Sequence, residues 1–119
     1  MRKRQIGYIG LGQMGGAMAG HLIESGYPVT VYDINADAVQ SFVDAGATAA
    51  TSPKEVAEQS EIVITCLPNP AIVEATALGQ DGILAGLMPG KIYMDMSTVE
   101  PDTTRRVGAA IHEKGVANI

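Results

Sequence analysis

Short apolar runs alternate with amphipathic segments along the whole chain. Runs rich in Val, Ile and Tyr predict buried strands at residues 5–9, 29–32, 62–66 and 92–95, and the start of another strand at 116–119. Apolar positions three or four apart predict helices: one carrying Met14, Met18 and Leu22, then 36–45, 53–59, 71–78 and 101–114. This alternation predicts an α/β fold, a doubly wound parallel sheet with helices on both faces.

Glycines and a capping motif mark where these helices begin and end. Gly26, Gly46 and Gly115 each follow a predicted helix, where a left-handed residue favours termination. Ser52-Pro53-Lys54-Glu55 combines an N-cap serine, a first-turn proline and a capping-box glutamate. Four closely spaced glycines predict a loop region before the strand at 92–95: Gly79, Gly82, Gly86 and Gly90. The sequence has no repeat and no linker, so residues 1–119 are predicted to form one domain.

Composition and charge argue against several classes of partner. The 119 residues carry 8 Lys and Arg against 13 Asp and Glu, a net charge of −5 that disfavours nucleic acid and anionic membranes. No apolar run approaches the roughly 20 residues that span a bilayer. Cys66 is the only cysteine, which excludes an internal disulfide and a multi-cysteine zinc site. We expect no nucleic acid, membrane or metal partner.

The N-terminus has some features of a secretory signal. Met1-Arg2-Lys3-Arg4 is basic, an apolar stretch follows, and Ala17-Met18-Ala19 has the small residues of a cleavage site. The stretch also contains five glycines, each a poor helix former. We therefore expect a soluble cytoplasmic protein and keep the signal peptide as the minor alternative.

A glycine motif, Gly10-Leu11-Gly12-Gln13-Met14-Gly15, directly follows the first predicted strand and begins the first predicted helix. In this context Gly10 allows a tight turn, Gly12 lets the backbone approach a pyrophosphate, and Gly15 permits close packing of helix on strand. The pyrophosphate then meets the N–H groups at the positive end of the helix dipole. A glycine-rich turn without a ligand is the alternative. A Walker A loop is excluded, because no Gly-Lys-Ser/Thr follows.

Asp33 follows the second predicted strand, about 20 residues beyond the glycine motif, where a carboxylate binds an adenosine ribose. Such a carboxylate repels a 2′-phosphate, and neither Ile34 nor Asn35 is the arginine that would accept one. The sequence therefore favours NAD over NADP as cofactor. A role at the start of the following helix is an alternative for Asp33, compatible with the first.

Two further loops follow predicted strands, Leu67-Pro68-Asn69-Pro70 and Met96-Ser97-Thr98. The carboxyl ends of parallel strands meet at one edge of a sheet, where ligands bind. The prolines suit a stiff wall for a flat ring, and a hydroxyl of Ser97 or Thr98 could bond a carboxamide or a substrate carboxylate. Capping of the strand ends is the alternative for both hydroxyls.

Three motifs in order resemble the β-hydroxyacid dehydrogenase family, which includes 3-hydroxyisobutyrate dehydrogenase and tartronate semialdehyde (2-hydroxy-3-oxopropionate) reductase. They are Gly10-Leu11-Gly12-x-Met14-Gly15-x-x-Met18-Ala19, Leu67-Pro68, and Asp95-Met96-Ser97-Thr98. The resemblance covers essentially the whole chain. It implies a Rossmann-type domain in which residues 10–15 bind the pyrophosphate and Asp33 the ribose. Leu67 and Pro68 form the cofactor wall in this family, and Thr98 or Ser97 meets the nicotinamide.

The chain also departs from this family. His21 stands where the family has Asn, and Ala17 where Pro is common. Family members continue after a Lys-Gly such as Lys114-Gly115 into a substrate loop, Asp-x-Pro-Val-Ser-Gly-Gly, and a helical second domain with a catalytic lysine. Neither is present in these 119 residues. The resemblance thus implies the NAD(P)-binding domain without its catalytic partner domain.

The remaining candidates for catalysis have simpler interpretations. His21 is expected to pack or cap its helix, His112 to lie on a solvated face, and Cys66 to be an inert core thiol. No residue is placed as a general acid for hydride transfer. Two function classes stay open: a dehydrogenase of small 3-hydroxy acids or semialdehydes that lacks its catalytic half, and a non-catalytic dinucleotide-binding module or partner subunit. Apolar surface on the last helix and residues 116–119 is expected to drive self-association.

Overall fold

The structure, a computed structural model, describes residues 3–97 and 101–118, the side chains at 13, 14 and 101 excepted. Its strands are β1 (Ile6–Ile9), β2 (Val29–Tyr32), β3 (Thr48–Ala49), β4 (Ile62–Thr65), β5 (Ile92–Asp95) and β6 (Ala117–Asn118). Its helices are α1 (Gln13–Glu24), α2 (Ala36–Asp44), α3 (Pro53–Gln59), α4 (Pro70–Leu78), α5 (Ile83–Gly86) and α6 (Pro101–Glu113). The strands form a parallel sheet in the order β3-β2-β1-β4-β5-β6, which confirms the predicted doubly wound α/β fold.

The helices divide between the two faces of this sheet. Helices α1 and α2 pack on one face against a cluster of buried side chains that includes Tyr8 and Val31. Helices α3 to α6 pack on the other face against a cluster that includes Ile9 and Val63. The direction of strand addition reverses at β1, so the carboxyl ends of β1, β2 and β4 enclose a crevice, the usual ligand position in such sheets.

Local signals in the sequence placed most helix ends correctly. Gly26, Gly46 and Gly115 all have positive φ just after their helices, as predicted. The Ser52 hydroxyl accepts a hydrogen bond from the backbone N–H of Glu55 at 3.1 Å, which confirms the N-cap. The Glu55 carboxylate accepts from the N–H of Thr51 at 2.8 Å, so the reciprocal bond of the capping box is shifted by one residue.

Two elements differ from the prediction. Strand β3 was not predicted, because both its residues are exposed and carry no hydrophobic signal. Helix α5 lies in the segment expected to be a loop, and its Ile83 is fully buried. A Cβ at Gly86 would lie 2.2 Å from the carbonyl oxygen of Lys54, so Gly86, one of the glycines predicted to mark a loop, allows α5 to pack tightly on α3.

Apolar surface is distributed differently from the expectation. Val107 and Ile111 of α6 and the following Val116 are all buried, so these three side chains do not supply the bare apolar surface expected there. Ile119, which was part of that expectation, lies outside the described residues. Ile62 and Met94 instead stay partly exposed beside the cluster under α1 and α2.

Over the described ranges, the helices are too short or too polar to cross a membrane. The same ranges hold no group of three or more His, Cys, Asp or Glu arranged for a metal ion.

Candidate functional site

The glycine turn after β1 is forced by close backbone contacts. Gly10 has φ of +99°, and its N–H donates to the carbonyl oxygen of Tyr32 at 3.2 Å. A Cβ at Gly10 would lie 2.1 Å from the carbonyl oxygen of Cys66, and one at Gly15 would lie 2.2 Å from that of Gly10. Both positions therefore require glycine for packing alone.

Gly12 has a different environment. It is the N-cap of α1 with extended backbone, it is exposed, and it gives the helix no side-chain cap. Among the described parts of the chain, no heavy atom beyond its chain neighbours lies within 4 Å of the position that a Cβ would take. The fold does not need glycine here for space, so the open volume in front of the helix N-terminus is available to a ligand.

The Asp33 carboxylate connects the glycine turn to the segment after β2. Its Oδ2 accepts a hydrogen bond from the N–H of Leu11 at 2.7 Å, and its Oδ1 accepts from the N–H of Asn35 at 2.9 Å. Asn35, not Asp33, caps α2, with its Oδ1 accepting from the N–H of Asp37 at 3.0 Å. Because a carboxylate has about four acceptor positions, Asp33 keeps capacity for ligand hydroxyls.

The opposite side of the crevice is formed by the loops after β4 and β5. Pro68 is exposed beside the opening, and Asn69 caps α4 by accepting from the N–H of Ile72 at 3.0 Å. The Ser97 hydroxyl accepts a hydrogen bond from the N–H of Leu67 at 2.6 Å, which joins the two loops. Ser97 therefore has the strand-end role named as its alternative. Thr98 lies outside the described residues.

A buried polar network lies behind these loops. The Thr65 hydroxyl is 2.8 Å from Asp95 Oδ1 and 2.9 Å from the hydroxyl of Tyr93. Asp95 Oδ1 also accepts from the N–H of Ser97 at 3.0 Å. Burial raises the pKa of Tyr93 well above its usual range, although the Thr65 hydrogen bond opposes the shift. Tyr93 thus stays protonated and donates to Thr65, which in turn donates to Asp95.

These segments surround one cavity of about 520 Å³, a size typical of small-molecule sites. Seven of the predicted site residues line it: Gly10, Gly12, Gly15, Asp33, Leu67, Pro68 and Ser97. The Leu11 side chain is instead buried in the cluster under α1 and α2, and only its N–H takes part in the site. The side chains of Gln13 and Met14 lie outside the described part of the chain.

Sequence reasoning missed several lining residues. Ile34, Ile72 and Met96 are large apolar side chains at the cavity that are all at least 37% exposed, Ile34 reaching 91%. Tyr32 and Thr76 also line the cavity. Tyr32, Ile34 and Met96 adjoin predicted site residues in sequence, a signal that could have found them. Ile72 and Thr76 come to the site only through the position of α4.

The other candidates for catalysis are not brought together. His21 is exposed in the last turn of α1, so of its two expected roles packing is wrong, whereas its position agrees with a role at the helix C-terminus. His112 is exposed on α6, as expected, and neither histidine lines the cavity. Cys66 is half-buried and lines the cavity, so it is not the enclosed core thiol that the sequence suggested.

Comparison with known proteins gives consistent matches over the whole chain. A sequence family described as the NAD binding domain of 6-phosphogluconate dehydrogenase matches residues 5–119. The 3-sulfolactaldehyde reductase of Escherichia coli is 42% identical over 110 residues, which cover 92% of this chain and 37% of the relative. The NAD-dependent L-serine dehydrogenase of Pseudomonas aeruginosa is 40% identical over 114 residues, covering 96% of this chain and 38% of the relative.

Comparison with solved structures also gives matches over nearly the whole chain. The 3-hydroxyisobutyrate dehydrogenase of Mycobacterium tuberculosis, solved with L-serine, matches with a TM-score of 0.86 at 28% identity, over 98% of this chain and 39% of that one. Psf3 in complex with NADP+ and 2-OPP matches with a TM-score of 0.88 at 29% identity, over 95% of this chain and 40% of that one. The chain spans less than two fifths of the length of both curated relatives.

Proposed function

Because the chain belongs to the family described as the NAD binding domain of 6-phosphogluconate dehydrogenase, we propose that its cavity binds a nicotinamide dinucleotide. The observation that carries this proposal is the unfilled space at Gly12, in front of the N-terminus of α1. The first N–H groups of a helix lack partners within the helix, and its dipole favours negative charge there. A pyrophosphate fits both conditions.

The rest of the cofactor follows from the sheet order. We assign the pyrophosphate to residues 10–15 and the adenosine ribose to Asp33, on the β2 side of β1. The nicotinamide half then extends to the β4 side, against Leu67, Pro68 and the hydroxyl of Ser97. From the sequence alone we keep Thr98 as the alternative hydroxyl. The exposed apolar side chain of Ile34 suits contact with the adenine ring.

We infer a preference for NAD over NADP. The Asp33 carboxylate lines the part of the cavity to which we assign the ribose, and a 2′-phosphate there would bring a second negative charge close to it. Ile34 and Asn35 offer no cation to compensate. The relatives include an NAD-dependent enzyme and a protein solved with NADP+, so the preference rests on Asp33 itself.

For the whole protein we propose hydride transfer involving a small 3-hydroxy acid or the matching semialdehyde, 2-hydroxy-3-oxopropionate included. The nicotinamide ring, when bound, supplies or accepts the hydride. The names of the relatives support this class, since sulfolactaldehyde, serine and 3-hydroxyisobutyrate are all small and acidic or zwitterionic. The contribution of this chain is to bind and orient the cofactor.

A second candidate, a dinucleotide-binding module or partner subunit without catalysis, is favoured by the residues around the cavity. Reduction of a carbonyl needs a proton donor at the developing alkoxide. Of the described lining residues, Tyr32, Asp33 and Cys66 have ionisable side chains, and the first two lie on the proposed adenosine side. Cys66 is half-buried, and no His, Lys or Arg is among the described lining residues to act with it. We therefore expect these 119 residues alone to bind cofactor with little or no turnover.

Matched glycine variants test the binding site. Gly12→Val fills the proposed pyrophosphate position and should lower NADH affinity at least tenfold in a calorimetric titration. Gly20→Val on α1 is the control, because a Cβ there also meets nothing within 4 Å but lies away from the cavity. Equal NADH affinity in both variants and the unaltered protein would remove Gly12 from the site.

Turnover is tested by following NADH consumption with tartronate semialdehyde and methylmalonate semialdehyde, beside a longer member of the family. We expect NADH binding and a rate at least 100-fold below that member, since a positioned acid contributes about 10²–10⁴-fold. A rate within tenfold would mean that these residues contain the proton donor.

A further inference from the structure

We propose that Asp95 is a positioning residue, which holds the wall of the cavity formed by Leu67 and Pro68 without touching the ligand. Asp95 is not one of the predicted cofactor-binding residues. It is the last residue of β5 and does not line the cavity. The inference rests on the proposed function, in which this wall meets the nicotinamide half of the cofactor.

A continuous set of hydrogen bonds joins the core to the wall. The Tyr93 hydroxyl donates to Thr65, and the Thr65 hydroxyl donates to Asp95 Oδ1 at 2.8 Å. The same Oδ1 accepts from the N–H of Ser97 at 3.0 Å, and the Ser97 hydroxyl accepts from the N–H of Leu67 at 2.6 Å. One carboxylate oxygen thus fixes the end of β4 and the loop after β5 together.

The part of this network that lies in the core is held in place by the sheet. Thr65 and Tyr93 are at most 1% exposed, and both lie in paired strands whose residues are in register, with Thr65 opposite Asp95. The Ser97 hydroxyl can accept from Leu67 only if its backbone stays where Asp95 binds it. Loss of the acceptor at Asp95 therefore frees the loop after β5 and, through Ser97, the wall.

Loss of the Asp95 acceptor should weaken the binding of the nicotinamide half of the cofactor only. Strands β4 and β5 lie on one side of β1, and β2 with Asp33 lies on the other. Residues that hold the pyrophosphate and the adenosine do not bond to this network in the described part of the chain. A weakened wall should thus reduce NADH affinity and leave ADP affinity unchanged.

Calorimetric titration of NADH and of ADP, on the same preparations, measures this split. Asp95→Ala should lower NADH affinity about tenfold and ADP affinity less than twofold. Asp95→Asn should restore NADH affinity to within about threefold of the unaltered protein, because both hydrogen bonds end on one oxygen that an amide can supply. Asp44→Ala, an exposed aspartate that accepts from Gln40 on α2, is the control and should change neither affinity.

Thr65→Val provides a second variant that keeps the β-branched shape of a strand residue and removes only the hydroxyl. We expect a loss of about threefold for NADH and none for ADP, with the amide of Leu67 exchanging faster with solvent. Equal losses for NADH and ADP in the Asp95→Ala and Thr65→Val variants, or no loss of NADH affinity in either, would overturn the inference. An unaltered protein that binds neither ligand overturns the proposed function instead.

Discussion

The three glycines of the turn after β1 occupy two kinds of environment. Gly10 and Gly15 are closed in by carbonyl oxygens, whereas Gly12 faces open space. The sequence motif assigns the three different roles: a tight turn at Gly10, an approach to a ligand at Gly12 and close packing at Gly15. The structure shows the same division, because Gly10 and Gly15 let the chain fold and Gly12 has open space around it.

Substitution of the two enclosed glycines should therefore reduce stability. We expect Gly15→Ala to lower the free energy of unfolding by about 1–3 kcal/mol, since its Cβ meets a backbone oxygen that cannot rotate away. Gly20→Ala, with open space around its Cβ, should leave stability unchanged or raise it by up to about 1 kcal/mol. Urea denaturation followed by circular dichroism measures both. Equal stability of the two variants would contradict the close contact at Gly15.

The charge at Asp33 should set the cofactor preference. Asp33→Ala with Ile34→Arg removes the repulsion and supplies a cation, so the ratio of NADPH to NADH affinity should rise at least tenfold. Affinity for both cofactors should fall as well, because Asp33 also binds the N–H of Leu11. Ile34→Met is the neutral control for the exposed side chain. Tighter binding of NADPH than of NADH by the unaltered chain would show that the assigned role of Asp33 is wrong.

Packing between elements depends on one further glycine. Gly86 ends α5 at a position where a Cβ would lie 2.2 Å from the carbonyl oxygen of Lys54 in α3 and 3.1 Å from the Cβ of Ala57. We expect Gly86→Ala to push the two helices apart and to lower the free energy of unfolding by about 1–3 kcal/mol. Thermal denaturation beside Gly20→Ala tests this, and an unchanged melting temperature would contradict the tight packing of α5 on α3.

The stability of the whole molecule should fall at alkaline pH. Burial, and next the neighbouring Cys66, raises the pKa of Tyr8 from 10.0 to about 12. The unfolded chain releases this proton near pH 10 and the folded chain does not. The contribution of Tyr8 to the free energy of unfolding is therefore constant below pH 10 and decreases as the pH rises towards 12. Tyr93, whose pKa burial also raises, adds to the decrease.

Two variants, Tyr8→Phe and Tyr93→Phe, distinguish the contributions of these tyrosines to stability. Within the described residues, no partner binds the buried Tyr8 hydroxyl, so Tyr8→Phe should raise stability at neutral pH by about 1 kcal/mol and flatten the alkaline profile. Tyr93→Phe should lower neutral-pH stability by a similar amount, because it removes the donor to Thr65. Urea denaturation from pH 7 to 11 measures both, and the same sign for the two variants would contradict this assignment.

Self-association of the 119-residue chain remains a prediction, now for a different surface. Ile62, Ile92 and Met94 point to the sheet face of α1 and α2 by their register, yet stay partly exposed. Sedimentation at increasing concentration should show dimers or larger species, which Met94→Glu should reduce. Met88→Glu, at a methionine 63% exposed elsewhere, is the control. A strictly monomeric chain at high concentration would contradict the prediction.

The sequence by itself determined the order of the strands and helices other than β3 and α5, and it named seven of the 14 described residues that line the cavity. Strand and helix periodicity reflects burial along a single element, and glycine, proline and N-cap residues act within a few positions of themselves. The four apolar strands, the glycine turn and Asp33 were therefore predictable, and the resemblance to dehydrogenases is confirmed by the family match. Boundaries differed by one residue at β1, β4, α2, α4 and α6.

Only the tertiary structure decided features that depend on distant neighbours. Strand β3 forms because β2 offers a free edge, although Thr48 and Ala49 carry no apolar signal. The cavity gains Ile72 and Thr76 through the position of α4. The network around Asp95 is built from hydrogen bonds between residues that are 28 to 30 positions apart in the sequence, Thr65 with Tyr93 or Asp95 and Leu67 with Ser97. No local pattern encodes such contacts, because they arise only when two strand ends become neighbours in the folded sheet.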